Sequence, residues 1–280
     1  TVAMPTYREI AIERTFNDFR PHPQTRAGDF PQPQPLQETG ELRYGTAGES
    51  REVVSVKPYG VVFAISRQMM VNDDLSAIDQ ILGSTGTGIL RFEHVTFFNM
   101  MLVASGAGPT LLQDSTAVFA AGHNNYIGTF SGTNNCGPPT VNALAAARAS
   151  LRKQKTIDGQ ILNIPPTILL TGALNETAAD QMVSTITPTI ATAVNPFSGK
   201  LRTVAEALIP PGATGEPWYV FADPQQLPCF VYGFLAGAGG PRVRTDEPFG
   251  VQGVRVSLEH DFGVGAIDYR GAYQNIGLTA

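Results

Sequence analysis

ELRYGTAGESREVVSVKPYGVVFAISRQMMVNDDL, residues 41–75, carries the strongest structural signal in the chain. Glu41–Tyr44 forms one short arm of a ribbon. Gly45, Thr46, Ala47 and Gly48 supply a turn, with glycine permitting positive φ at either end. The return arm, Glu52–Val56 and Val61–Ile65, is rich in β-branched residues. Asn72, Asp73 and Asp74 then offer side-chain oxygens for a helix start. A lone hairpin is marginally stable in water. A ribbon of this length, charged near its tip, therefore needs another surface to lie on, and a second copy of the chain is the expected one.

The same segment, from TGELRYGT through KPYGVVFAISRQMMVNDDL, resembles the extension loop and spine-helix entry of tailed-bacteriophage major capsid proteins. It looks most like the Mu-like major head subunit group and the capsid halves of protease–capsid fusion proteins. FAAGHNN at 119–125, ARASLRKQKTIDGQILNIPPTILL at 147–170, NPFSGKLRTV at 195–204 and HDFGVGAIDYRGAYQN at 260–275 continue the resemblance in order.

The resemblance implies an α+β chain with the tailed-phage (Hong Kong 97-type) major capsid fold. Residues 1–38 would be an N-terminal arm and 39–66 the extended β-ribbon loop. A peripheral domain with its spine helix would occupy 67–139 and an apical α/β domain 140–241. The C-terminal strand, 242–280, would return to the peripheral domain. The implied function is structural: a major head protein, not an enzyme, with no cofactor and no metal. It would self-assemble through hexamers and pentamers into an icosahedral shell around phage DNA, without reading DNA sequence. Portal, scaffold or protease, and decoration proteins would be its other partners. Its location would be the virion capsid, and the host cytoplasm during assembly. Arg43, Tyr44, Glu49, Arg51 and Glu52 of the ribbon, with Phe16 and Phe19 of the arm, are the expected subunit-interface residues. No lysine lies between Glu41 and Val56, so a covalent Lys–Asn cross-link through the ribbon is not expected.

Composition agrees with a structural role. Charged residues make up 15% of the 280, against about a quarter in an average chain. Low charge suits a molecule that covers much of its surface with neighbours. The 29 glycines and 21 prolines favour turns and short strands over a helical bundle. A net charge of −5 is no nucleic-acid footprint. The cationic cluster Arg148, Arg152, Lys153 and Lys155 falls at a helix end, where it complements exposed carbonyls. No signal-peptide pattern and no apolar run of transmembrane length is read, so no membrane association is expected. Cys136 and Cys229 lack metal-type spacing; their pairing stays open.

Residues 1–38 hold six prolines, which favour extended backbone. Yet Tyr7, Ile10, Ile12, Phe16, Phe19 and Phe30 are too apolar for a spacer, so the segment is expected to order against neighbouring subunits. Leu75, Ile78, Leu82, Ile89, Phe92 and Val103, with Thr85 and Thr96, fall at spacings of three and four and predict a helix over 74–104. Gly83, Gly86 and Gly88 predict a bend or break within it. A helix starting near Thr140 turns Leu144, Ala147 and Leu151 inward. Residues 167–171 read as a buried strand, and Asn175 as the cap of a helix ended by Pro188. Strands are predicted at 218–221, 230–235 and 242–245. Finally Val254, Val256, Leu258, His260, Phe262, Val264 and Ala266 share one face of a long strand, with Ile267 breaking the parity.

Little catalytic chemistry is legible. No GxSxG elbow is present, and no HExxH or paired-carboxylate spacing supports a metal. GSTGTG at 83–88 lacks the GKS/T ending of a phosphate loop. Among the histidines, His260 reads as a structural member of an apolar strand face and His123 as a loop hydrogen-bonder. The alternatives are a hydrolase using His123 or His260 with a nearby acid, and another phage structural accessory protein such as a tail or decoration protein.

Overall fold

The computed structural model describes residues 5–28, 48–72, 83–128, 136–184, 195–212, 215–247 and 252–278. The chain opens with α1 (Tyr7–Ile10), β1 (Ala11–Phe16), β2 (His22–Ala27), β3 (Glu49–Val54), β4 (Lys57–Ser66) and α2 (Arg67–Val71). It continues through α3 (Thr85–Met101), β5 (Tyr126–Ile127), α4 (Val141–Arg152), β6 (Ile168–Thr171), α5 (Glu176–Val183) and β7 (Arg202–Ala205). It closes with β8 (Trp218–Phe221), β9 (Phe230–Leu235), β10 (Arg242–Asp246), β11 (Gly253–Ala266) and β12 (Ala272–Asn275).

Strand β11 organises the first sheet. Its period-two pattern becomes a single 14-residue strand that ends at Ala266, where Ile267 breaks the parity. One edge carries β4, paired antiparallel over Gly253–Phe262; the other carries β10 and then β9. Beyond β9 the sheet is completed by β1, which runs parallel to it with Ala11 opposite Phe230. Gly263 and Gly265 are required by close approach. A Cβ on Gly263 would lie 2.8 Å from the Ser55 carbonyl oxygen, and one on Gly265 2.6 Å from Val54.

The second sheet has the order β5-β12-β8-β6-β7. Its strands alternate between two cores, as the pleat dictates. Ile168, Leu170, Tyr219, Phe221 and Ala272 face a large core shared with the first sheet. Leu169, Trp218, Val220 and Tyr273 face the opposite way, toward Ala143, Leu144, Ala147 and Leu151 of α4 and Ala179 of α5. Helix α4 starts as read: the Thr140 hydroxyl accepts from the Ala143 N–H at 3.2 Å.

Pairing redistributes the expected segments. Strand β9, inside 140–241, belongs to the first sheet; β12, inside 242–280, belongs to the second. The two segments are interleaved. The apolar face of each is completed by strands far away in sequence.

Four local expectations are corrected. The buried face of α3 is Ile89, Glu93, Phe97, Phe98 and Met101. Phe92 is half-buried, and Val103 lies exposed beyond the helix end. The expected break within GSTGTG falls at Ser84, a turn before the helix begins at Thr85, so that Gly86 and Gly88 lie inside it, while Leu75, Ile78 and Leu82 lie outside the described residues. At α5, Asn175 makes no side-chain cap. Its amide donates to the Glu216 carbonyl at 2.9 Å, and the Glu216 carboxylate instead accepts the N–H groups of Leu174 and Asn175.

The third correction concerns the N-terminal segment, expected to order on neighbours. Tyr7, Ile10, Ala11 and Phe16 are all buried within their own subunit. Its apolar side chains had a partner in the same chain, namely the free edge of β9. The fourth concerns the ribbon. Strand β3 pairs with β2, Glu52 standing opposite Gln24 and Arg51 opposite Thr25. Val61–Ile65 belongs to β4 in another sheet, so the expected return arm is two strands parted at Ser55 and Val56. Glu41–Tyr44 and the turn through Ala47 lie outside the described residues.

After α3 the chain turns through Ala104 and Ser105, both left-handed at φ 56° and 59°. That region costs a residue with a Cβ roughly 1–2 kcal/mol. Replacing exposed Ala104 by glycine is expected to stabilise the subunit by about 0.5–1 kcal/mol, net of glycine's greater unfolded-state entropy. Urea midpoints of the two proteins would check this.

Candidate functional site

Three features stand out once the fold is in place. The first is the outer part of the β4–β11–β10 sheet. An unbroken apolar run in a strand ordinarily means burial on both faces. Strand β4 carries such a run, Val61 to Ile65, yet Val61 and Val62, on opposite faces, are each 61% exposed. On Val61's face the register sets Phe63 against Val256 and Val61 against Leu258. Together with Tyr59, Val243 and Phe92 of α3 they line an open groove of ≈ 750 Å³. Ser84, Thr85, Gly88 and Ile89 at the start of the helix complete its lining. Met69 and Val71 on α2 are exposed apolar side chains as well. Val61 and Phe63 belong to the ribbon arm expected to lie on a second copy, but none of these residues was named singly among the expected interface residues. The signal was present in a run apolar at every position, which no one-sided strand needs.

The second feature is the seat of the ribbon. Arg43 and Tyr44 lie outside the described residues. Glu49 and Arg51 point outward from β3, and Phe19 is 46% exposed in the bend between β1 and β2. Glu52 and Phe16 do not face outward. Glu52 is 3% exposed, and its carboxylate accepts the N–H groups of Leu112 at 2.8 Å and Gln113 at 3.2 Å. Phe16 packs with Val54, Val56, Val231 and Ile267 in a small core beneath the ribbon. On β2, Arg26 donates to Gln113 Oε1 at 2.8 Å and pairs with buried Asp268, which also holds Arg270. Burial works to raise the Asp268 carboxyl, but Arg270 and Arg26 outweigh it and hold it below the usual carboxylate range.

The third is a polar clamp on α1. Glu93, on the buried face of α3, accepts from Tyr7 Oη at 2.7 Å, Arg8 at 3.1 Å and His260 Nε2 at 2.9 Å. The next residue, His94, meets Glu206 at 3.0 Å, and Glu206 also accepts from Thr6. Burial pushes both carboxyls upward; the hydrogen bonds from these donors outweigh it and leave both lowered. In each of the three carboxylates the folded pKa lies below the unfolded one. The unfolded chain therefore binds more protons, and the stability is present above the ordinary carboxylate range and lost as pH falls through the folded value. Urea unfolding of unassembled subunits is expected to show midpoints that fall on acidification into that range, with a shallower fall in Glu93→Gln.

The two histidines of the enzyme alternative both lie inside the fold. His123 is buried, with Nδ1 3.1 Å from the Val118 carbonyl oxygen and Nε2 2.5 Å from Asp114. Its ring stacks on Tyr269 at 3.7 Å and 6°. Both nitrogens thus face oxygen acceptors within the fold. His260 lies among Phe92, Phe234 and Phe262. Cys136 and Cys229 are buried free thiols. Among the described residues no cluster of three or more His, Cys, Asp or Glu is placed to hold a metal, and no helix is long and apolar enough to cross a membrane.

Residues 49–275 match the model of a family described as "Phage capsid protein". No curated protein matches the sequence. Among solved structures, a chain of Microbacterium phage Oxtober96 superposes with a TM-score of 0.60 at 8% identity, covering 98% of this chain and 91% of that one. The capsid structure of the cyanophage P-SCSP1u gives 0.61 at 10% identity, covering 96% and 86%. The holo-SrpI encapsulin complex from Synechococcus elongatus gives 0.56 at 12% identity, covering 100% and 93%. At such identities these likenesses speak for the fold alone: the α+β, Hong Kong 97-type capsid fold.

Proposed function

We propose that this chain, which belongs to the phage capsid protein family, is the major shell subunit of a tailed-bacteriophage head, of the Mu-like group. Its work is assembly and not catalysis. Copies join through heterologous contacts into hexamers and pentamers, and these close into an icosahedral shell around DNA. The first sheet with α3 serves as the peripheral region and the second sheet with α4 and α5 as the apical one. Portal, scaffold or protease, and decoration proteins complete the particle, which is built in the host cytoplasm.

The observation that carries the reading is β4. An apolar strand exposed on both faces is a liability in a monomer, and burial against neighbouring copies removes it. Many weak contacts per subunit then give a strong shell by avidity. Size-exclusion chromatography and electron microscopy of the purified chain test the proposal. Megadalton particles are expected; a stable monomer at every concentration would overturn it.

A further inference from the structure

The ribbon is fastened to its own subunit by charged side chains, and the fastening is incomplete. Along β3, residues 50, 52 and 54 turn inward while 49, 51 and 53 turn outward. The inward set therefore includes a carboxylate. Glu52 grips the backbone of Leu112 and Gln113, and Arg26 on the partner strand grips the Gln113 side chain. Both strands thus hold one loop tip, while Arg26 also pairs with buried Asp268 and the Gly48 N–H donates to Asp158 at 3.2 Å. That loop is pinned from behind, because Asp114 is bonded to buried His123. In the same patch Arg26 Nε and Ser50 Oγ are buried without a hydrogen-bond partner among the described residues.

A buried carboxylate gives less net stability than a well-packed apolar side chain would. Buried polar atoms left unpaired weaken the docked state further. What charged hydrogen bonds supply in exchange is a fixed direction that can be undone as a unit. Next to them, Val54, Val56 and Phe16 form an apolar pivot, with the His22 ring packed on Phe16 at 5.1 Å. We propose that Glu52 and Arg26, with the Leu112–Gln113 tip, form a releasable elbow that sets the angle at which the β2–β3 ribbon leaves the body. The pivot holds the base while the elbow opens. This rests on the shell reading only for its consequence, which is how far the ribbon reaches toward a neighbour.

Hydrogen exchange on the unassembled full chain tests the elbow without requiring a shell. In Glu52→Ala, exchange of the Leu112 and Gln113 amides and of the β2–β3 ladder is expected to quicken at least tenfold. Amides of β6 and β8 should stay unchanged. Glu52→Gln, which keeps the size of the side chain, should give the same pattern and serves if the alanine variant does not fold. Unchanged exchange at residues 112 and 113 would overturn the elbow. So would uniform acceleration across the molecule, which marks a plain contribution to stability. Particle formation is scored separately: absence of particles from the unaltered chain defeats the shell reading and leaves the exchange result to judge the elbow.

Discussion

Replacing Val61 with lysine and Val62 with glutamate is expected to leave a folded, soluble subunit that forms no shells. The two side chains stand on opposite faces of β4, each 61% exposed, so their loss removes little packing within the subunit. Exposed substitutions away from special features usually change stability within about ±0.5 kcal/mol, and strand propensity spans only about 1 kcal/mol. Association is affected far more strongly. Each valine that becomes buried against a neighbour contributes about 1.5–3 kcal/mol, and a charge in its place must be desolvated without a partner. The penalty recurs at every subunit contact. Circular dichroism should show a melting transition within a few degrees of the parent, while electron microscopy shows no particles. Normal particles from the double variant would remove β4 from the assembly surface.

The parts of this fold that could be read from the chain are those whose cause is local. The alternation over residues 254–266 needs only the pleat of one strand, and it is found as β11. Thr140 caps α4 because its hydroxyl reaches an amide three residues on. What stayed hidden depends on partners distant in sequence. Strand β2, HPQTRA, has a proline and few apolar residues, and it is a strand because β3 runs beside it. Glu93 interrupts the apolar stripe of α3, and only the folded chain brings Tyr7, Arg8 and His260 to it. The same holds for the interface residues. Glu52 looks like surface charge until the loop at 112–113 is placed over it, whereas Val61 and Val62, read only as part of a ribbon arm, stand 61% exposed on opposite faces of a sheet strand. Which of the ribbon's side chains are covered is decided by topology and not by their polarity.

Deleting residues 1–16 is expected to abolish folding, a result that separates a structural N-terminal segment from an arm that only meets neighbours. The deletion strips β1 from the first sheet and exposes the backbone edge of β9. It also removes Tyr7, Ile10, Ala11 and Phe16 from two cores. Tyr7 is fully buried, stacked on Phe97 with ring centroids 5.3 Å apart and set edge-on to Tyr232 at 5.0 Å. Truncating an aromatic side chain in such a position costs about 3–5 kcal/mol, against a whole-domain stability of about 5–15 kcal/mol. Losing its hydroxyl besides leaves Glu93 one donor short in a buried site. Tyr7→Ala should therefore have a urea midpoint lowered by about a fifth or more, and the deletion should yield insoluble chain or one without cooperative melting. A segment whose contacts all lay on neighbouring copies would behave in the opposite way, leaving the isolated subunit intact and affecting only particles. A truncated subunit that melts cooperatively within about 1 kcal/mol of the full chain would move these residues back to the intersubunit arm.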